Sequence, residues 1–143
     1  CNAVSCNALI HEGIERLKGA ALKNNIQLIL NSDCGNAEFF ADEEKLIRAI
    51  TNIIGNCIRY AATKVEITTR VIDKNVEISI SDDGLGFKDD ELENIFERFY
   101  KGEKGNHGLG LAISKYVIEK TNGKITAENL TAGALFKILI PLI

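Results

Sequence analysis

The order of helical and β-patterned segments predicts an α+β two-layer sandwich, with helices on one face of a mixed, mostly antiparallel sheet. Three observations carry this. One long segment, Asp42 to Ala61, repeats its apolar residues with a helical period. Two separate pairs of short runs alternate apolar and polar residues about a turn, the pattern of hairpins with one buried face. No repeat, low-complexity tract or linker divides the 143 residues, so one domain spanning residues 1–143 is expected.

The elements follow in chain order. Residues 1–24 are predicted as a lead-in helix, with Ile10, Ile14, Leu17 and Leu22 as its apolar stripe and Asn24-Asn25 as its stop. A strand is expected over Ile26–Leu30, a turn at Asp33-Cys34-Gly35-Asn36, and a short strand at Glu38–Phe40. Asp42 then caps the long helix, and Glu43 and Glu44 sit in its first turn, where the helix dipole favours them. Its apolar set is Leu46, Ile47, Ile50, Ile53, Ile54, Cys57, Ile58 and Ala61. The first hairpin pairs Val65–Ile72 with Val76–Ser81 about Asp73-Lys74-Asn75. A glycine-rich turn, Asp82 to Phe87, leads to a short helix around Asp89–Ile95, and a polar loop covers Lys101–His107. Gly108 opens a last helix running to about Thr121, and Lys124–Asn129 and Ala134–Ile140 form the second hairpin.

Composition excludes several classes. Hydrophobic residues make up 45% and charged residues 26%, the balance of a globular domain. A net charge of -3 gives no basic field, so no nucleic-acid partner is expected. No apolar run approaches membrane-span length and no signal segment opens the chain, so these residues are not expected in a membrane. Starting at Cys1 and lacking Met, the sequence is expected to be a piece of a longer protein. Cys1, Cys6, Cys34 and Cys57 form no C-x-x-C pair and have no His at metal spacing, so all four are expected to be reduced and structural, in a cytosolic setting.

Three features have chemical content. Asn52, Asn56, Arg59 and Tyr60 fall on one side of the long helix. Asn is a poor helix-interior residue, and its carbonyl oxygen suits Mg²⁺ when phosphates supply the other ligands; the same residues also fit a solvated helix face. Asp82-x-Gly84-x-Gly86 follows a strand. A carboxylate there can accept a hydrogen bond from an adenine amino group, with glycine backbone close to the ring, though Asp and Gly are also ordinary turn residues. Gly108-Leu109-Gly110-Leu111 opens a helix, where backbone N–H groups attract anions. No Walker lysine follows these glycines, and they do not join the first strand and helix of a Rossmann unit.

Together these segments resemble the GHKL ATPases, the superfamily of gyrase, mismatch-repair, chaperone and histidine kinase ATPases. Asn52 to Tyr60 looks like its N box, Asp82 to Phe87 its first glycine box, and Gly108 to Ile113 its second. Ile95-Phe96-Glu97-Arg98-Phe99-Tyr100 looks like the F box, which points to sensor histidine kinases. The boxes stand in the family order, and the resemblance covers roughly residues 20–143.

The resemblance implies a sandwich of the Bergerat type that binds ATP and Mg²⁺. It implies that Asn56 ligates the metal, with Asn52 in support and Arg59 near the phosphates. Tyr60 would pack on adenine and Asp82 would read its amino group, beside Gly84 and Gly86. Lys101 would reach the terminal phosphate from the lid, Phe99 of the F box would join the site, and Gly108, Leu109 and Gly110 would cradle phosphates. It further implies phosphoryl transfer to a histidine on a helical-hairpin domain of the same parent, then relay to a response regulator, in a dimeric, membrane-anchored parent with this domain in the cytoplasm. An anti-sigma type serine kinase shares the core, but the F-box block argues against it. A silent nucleotide-binding scaffold is a third reading, opposed by the intact Asn56, Asp82, Gly86, Gly108 and Gly110.

The sequence departs from the family in three places. Asn106-His107 stand where a further glycine often precedes Gly108, Cys57 replaces a usual Ala, and the Lys101–His107 lid is short. His11-Glu12 is followed by Gly13-Ile14-Glu15-Arg16 and not by the acceptor continuation Leu-Arg-Thr-Pro, so His11 is expected to be a surface residue. His107 is expected to be a loop histidine.

Overall fold

The computed structural model of the protein describes residues 1–97 and 110–143. Its centre is the first hairpin, β4 (Lys64–Ile72) and β5 (Asn75–Asp82), which turns through Asp73-Lys74 with Asp73 at φ 54°. Aspartate tolerates this left-handed conformation, which two-residue hairpin turns demand. The five-stranded sheet runs β2-β4-β5-β7-β6, adding β2 (Gln27–Asp33), β6 (Lys124–Asn129) and β7 (Ala134–Pro141). Only β2 and β4 pair in parallel, so this sheet is mixed and mostly antiparallel, as predicted. A separate antiparallel ribbon joins β1 (Asn2–Ser5) to β3 (Glu38–Ala41).

Helices α1 (Cys6–Lys23), α2 (Glu43–Tyr60) and α4 (Gly110–Glu119) cover one face of the sheet, with α2 in the middle, against both its helical neighbours and against β4 and β5. Asp42 caps α2 by accepting the Lys45 N–H at 3.2 Å. The predicted stripe from Leu46 to Ile58 is buried, with Ala61 packed beside it. In the facing sheet, Ile67, Ile80 and Phe136 lie side by side across three strands, all fully buried. Each such side chain contributes about 2 kcal/mol by leaving water. Short α3 (Asp89–Asn94) follows the glycine-rich turn, and Glu91 accepts the Lys88 N–H at its start.

The first 24 residues differ from the expectation. Asn2–Ser5 is a strand, in which Val4 is buried opposite Phe39, and the helix begins only after Ser5, whose hydroxyl accepts the Ala8 N–H. That cap fixes the boundary which the apolar spacing left open. Leu22 is 79% exposed, so it is not part of the inner stripe. It comes five residues after Leu17, well off the stripe, whereas Ala21, four after, is buried. Leu9 and Gly13 complete the inner face. Strand β2 runs on to Asp33 because its parallel register with β4 continues to Arg70, and β3 extends one residue past Phe40, to Ala41. The α2 helix ends at Tyr60, with Ala61 already extended. In α4 the described turns run from Gly110 to Glu119, short of Thr121. Cys6, Cys34 and Cys57 are buried and Cys1 is exposed, so Cys1 fills no core position. All four are free thiols.

Phe136 meets Phe87 and Phe96 edge-on, at ring distances of 6.1 and 6.2 Å. Phe136→Ala should therefore lower the unfolding free energy by about 3–5 kcal/mol. A urea titration checks this, and a loss below about 1 kcal/mol would mean that the two layers do not depend on this contact.

Candidate active site

The end of α2 and the end of β5 meet at one corner of the sandwich, and the fit is made by backbone. A Cβ on Gly84 would lie 1.9 Å from the Tyr60 carbonyl oxygen, so only glycine lets this turn sit on the last residue of α2. Asp83 locks the corner. Its Oδ1 accepts the N–H groups of Ala62, Thr63 and Lys64 at 3.0, 2.9 and 3.1 Å, and the Thr63 hydroxyl donates to Oδ2. Partial burial pulls the Asp83 carboxyl upward, but the Thr63 hydroxyl and these amides outweigh it and hold it well below the usual carboxylate range.

Asp82, its neighbour, is only 5% exposed. The Gly84 N–H donates to its Oδ1 at 2.9 Å, and the Ala134 amide and the Cys57 thiol also donate to the carboxylate. Burial nevertheless raises its proton affinity above the ordinary value, and the Asp83 charge adds to this, against those three donors. Cys57 is fully buried, and its thiol is pushed well up by burial and then by the Asp82 charge it faces. Tyr60 is half-buried, its ring 5.5 Å from Phe87 and edge-on to it.

Asn56 lies one residue before Cys57 on α2 and is 6% exposed. Its amide nitrogen is buried and has no hydrogen-bond partner among the described residues. An unpaired amide costs about 1–3 kcal/mol, so buried polar groups are nearly always satisfied by protein, water or ligand. The adjoining cavity, about 540 Å³, is lined by Asn52, Gly55, Asn56, Arg59, Gly110 and Leu111, with Leu17, Ala20, Asn24, Thr51 and Ile58 behind them. Asn52 donates to the Gly110 carbonyl at 3.3 Å, and the buried Ser114 hydroxyl lies 2.9 Å from that same carbonyl and 3.3 Å from that of Ala49. The start of α4 is thereby held on α2. A Cβ on Gly110 would stand 3.4 Å from the Asn52 amide, a tight contact that glycine avoids.

Of the residues singled out in the sequence, Asn52, Asn56, Arg59 and Gly110 surround one cavity, while Tyr60, Asp82, Gly84 and Gly86 gather at the end of β5. The adjacent pair Asn56 and Cys57 bridges the two groups. The helical spacing placed all four α2 residues on one side, but their environments differ: Asn56 is buried, Tyr60 half-buried, and Asn52 and Arg59 exposed. Phe99, Lys101, Gly108 and Leu109, like His107, lie outside the described residues. His11 is exposed on α1, its Nδ1 2.8 Å from the Asn7 carbonyl, as expected of a surface residue.

Sequence reasoning missed the contributions of Asp83, Asn129, Gly133 and Ala134. Gly133 has φ 98°, and a Cβ there would lie 1.8 Å from the Asp82 carbonyl oxygen. The one available signal was a glycine in the last hairpin turn, which by itself is commonplace.

Among the described residues no group of three or more His, Cys, Asp or Glu could hold a metal ion. The polar lining is instead neutral amide and a guanidinium, which fits an anionic ligand and a cation that brings its own phosphate ligands.

The family model for the histidine kinase-, DNA gyrase B- and HSP90-like ATPases matches residues 41–143, more than two thirds of the chain. The chain belongs to that family. Among curated relatives of this ATPase domain, the sensor histidine kinase CssS of Bacillus subtilis is 35% identical over 130 residues, covering 91% of the chain and 28% of CssS. The solved structure of the mycobacterial sensor histidine kinase MprB superposes with a TM-score of 0.88 at 25% identity, covering 99% of this chain and 98% of that one. Full-length ShkA, solved in complex with AMPPNP, superposes with a TM-score of 0.85 at 27% identity, covering 99% of this chain and 31% of that one. The domain is thus of the histidine kinase catalytic type, and it spans less than two fifths of the length of the first curated relatives it matches.

The Asp83 clamp makes the ATPase domain acid-sensitive. The folded carboxyl titrates below its unfolded value, so the clamp's stabilisation is complete above the unfolded pKa, near 4, and is lost as pH falls below it. Asp83→Ala should cost about 2 kcal/mol at pH 7 and flatten the fall of Tm between pH 5 and pH 2. Thermal melts across that range decide it, and parallel curves for the two proteins would remove Asp83 from the account.

Proposed function

We propose that this domain binds ATP with Mg²⁺ at the corner between α2, the end of β5 and the start of α4, and presents the terminal phosphate to a histidine of a helical-hairpin domain in the same parent protein. The observation that carries the reading is the buried, unpartnered amide of Asn56 at the wall of a cavity shared with Asn52, Arg59 and Gly110. A side-chain amide can turn either its nitrogen or its oxygen to the cavity, offering a donor to phosphate or an oxygen to a cation. Asn56 is the residue that would hold Mg²⁺, with Asn52 beside it and Arg59 near the phosphates. The ion would supply charge neutralisation at the transferring group. Asp82, already oriented by three donors, would accept the adenine amino hydrogen in the notch formed by Gly84 and Gly133. Tyr60 and Gly86 border that end. Lys101 of the lid, Phe99 of the F box, Gly108 and Leu109 would complete the site by family resemblance.

Catalysis by such a domain is positioning and charge stabilisation, with the acceptor brought in by another domain. The sensor histidine kinases among its relatives, and the AMPPNP complex of its structural neighbour ShkA, support histidine as acceptor and ATP as donor. A response regulator would receive the phosphoryl group next, and the parent would be a dimeric membrane-anchored sensor with this domain on the cytoplasmic side. Among the described residues no helix is long and apolar enough to cross a membrane.

Base reading is tested by calorimetry. GTP presents a carbonyl where ATP has an amino group, which the Asp82 carboxylate should repel, so ATP should bind far more tightly. Asp82→Asn should weaken ATP binding by about 1–3 kcal/mol. Equal affinities for the two nucleotides would overturn the assignment. Asn56→Ala should depress Mg²⁺-dependent nucleotide binding more than binding measured in EDTA. An unchanged Mg²⁺ dependence would remove Asn56 as the ligand.

A further inference from the structure

The glycines of the Asp82–Phe87 turn face the chain itself. A Cβ on Gly84 would strike the Tyr60 carbonyl, and one on Gly86, at φ 75°, would lie 2.8 Å from the Asn129 Oδ1 and 3.0 Å from the Gly133 carbonyl oxygen. What presses on the turn from the second side is therefore the last hairpin. Asn129 holds it with both ends of its amide: Oδ1 accepts the Phe87 N–H at 2.9 Å, and Nδ2 donates to the Phe87 carbonyl at 2.7 Å. One side chain thus replaces a pair of strand-ladder bonds. Within the turn Leu85 is fully exposed and anchors nothing, while the Phe87 ring is buried against Tyr60 and Phe136. Ring burial sets the depth of Phe87, and the two amide bonds set the direction in which its backbone re-enters the turn.

We propose that Asn129 is a positioning residue for base recognition: by pinning the Phe87 backbone it fixes the Gly84-Leu85-Gly86 turn beside Asp82, although it lies in the last hairpin, outside all four motifs. The proposal rests on the assignment of Asp82 to the base. The side chain must offer an acceptor and a donor side by side at one reach. Aspartate lacks the donor, glutamine is a methylene too long, and alanine offers neither. Asn129 acts on the base end of the site, so its loss should weaken every adenine nucleotide alike, whatever the number of phosphates.

The test uses the 143-residue chain with Asn129→Ala, Asn129→Asp and Asp82→Asn, titrated calorimetrically with ADP and AMPPNP in Mg²⁺, well below each protein's melting temperature. Asn129→Ala should weaken ADP and AMPPNP by the same factor, roughly ten-fold for two lost hydrogen bonds, leaving their ratio at the wild-type value. The Phe87 amide should exchange faster in the same variant. Should Asn129→Ala fail to fold, Asn129→Asp, which keeps the acceptor but sets a carboxylate against the Phe87 carbonyl, should show the same parallel loss. Wild-type affinity within two-fold in a folded Asn129 variant, alongside a weakened Asp82→Asn, would overturn the positioning role alone. A loss confined to AMPPNP would place Asn129 at the phosphate end and also overturn it. Unchanged binding in Asp82→Asn would instead defeat the base assignment on which the proposal stands.

Discussion

The contact between the last turn of α2 and the turn after β5 is the constraint on which the rest of the site depends. A helix and a strand end at one point, and each leaves backbone groups that need partners. Asp83 supplies them for the connection from α2 to β4 by gathering three consecutive amides, those of Ala62, Thr63 and Lys64, and the Thr63 hydroxyl on one carboxylate. Gly84 then closes the gap by seating directly on the Tyr60 carbonyl. On the same helix Asn56 lines the cavity and Cys57 faces Asp82, and the start of α4 is held on α2 through Asn52 and Ser114.

Two adjacent aspartates are driven in opposite directions by this arrangement. Asp83 has many donors and keeps its charge easily; Asp82 is buried, faces a neighbouring negative charge, and has a raised proton affinity despite its donors. The first holds backbone, and the second is the one proposed above to meet the base. Their identity as residues gives no hint of this division; it comes from which backbone amides each one reaches.

Much of the fold could be read from the sequence, for identifiable reasons. The α2 stripe and the β4–β5 alternation are strong periodic signals, and both fell where expected because their central residues are buried, except that Val71, last of the β4 alternation Val65, Ile67, Thr69 and Val71, is 46% exposed near the hairpin turn. The N-terminal segment was misjudged because four residues of strand carry too little pattern, and a single Ser cap decides where the helix starts. In the site, the local boxes pointed to the segments, and the family match shows the family that they resemble. Pairing across the chain was not legible: Asn129 with Phe87, Gly133 with Asp82, Cys57 with Asp82. These are contacts between residues 25 to 51 positions apart, and no local periodicity encodes them. The glycines of the Asp82–Phe87 turn were expected to make room for a ligand. The structure shows that Gly84 and Gly86 first make room for Tyr60, Asn129 and Gly133.

The seating of Gly133 and Ala134 against Asp82 has a consequence for the order in which the domain matures. Every recognisable motif lies before residue 114, yet the pocket around Asp82 acquires its last wall and one of its amide donors from residues 133 and 134. A nascent chain that has just left the ribosome exit with all its boxes complete would still lack that wall and that donor beside Asp82. Both arrive with β7 and the turn before it, as β7 takes its place between β5 and β6. The same hairpin that completes the sheet also completes the surroundings of Asp82, so the proposed base site would form only once β7 is in place.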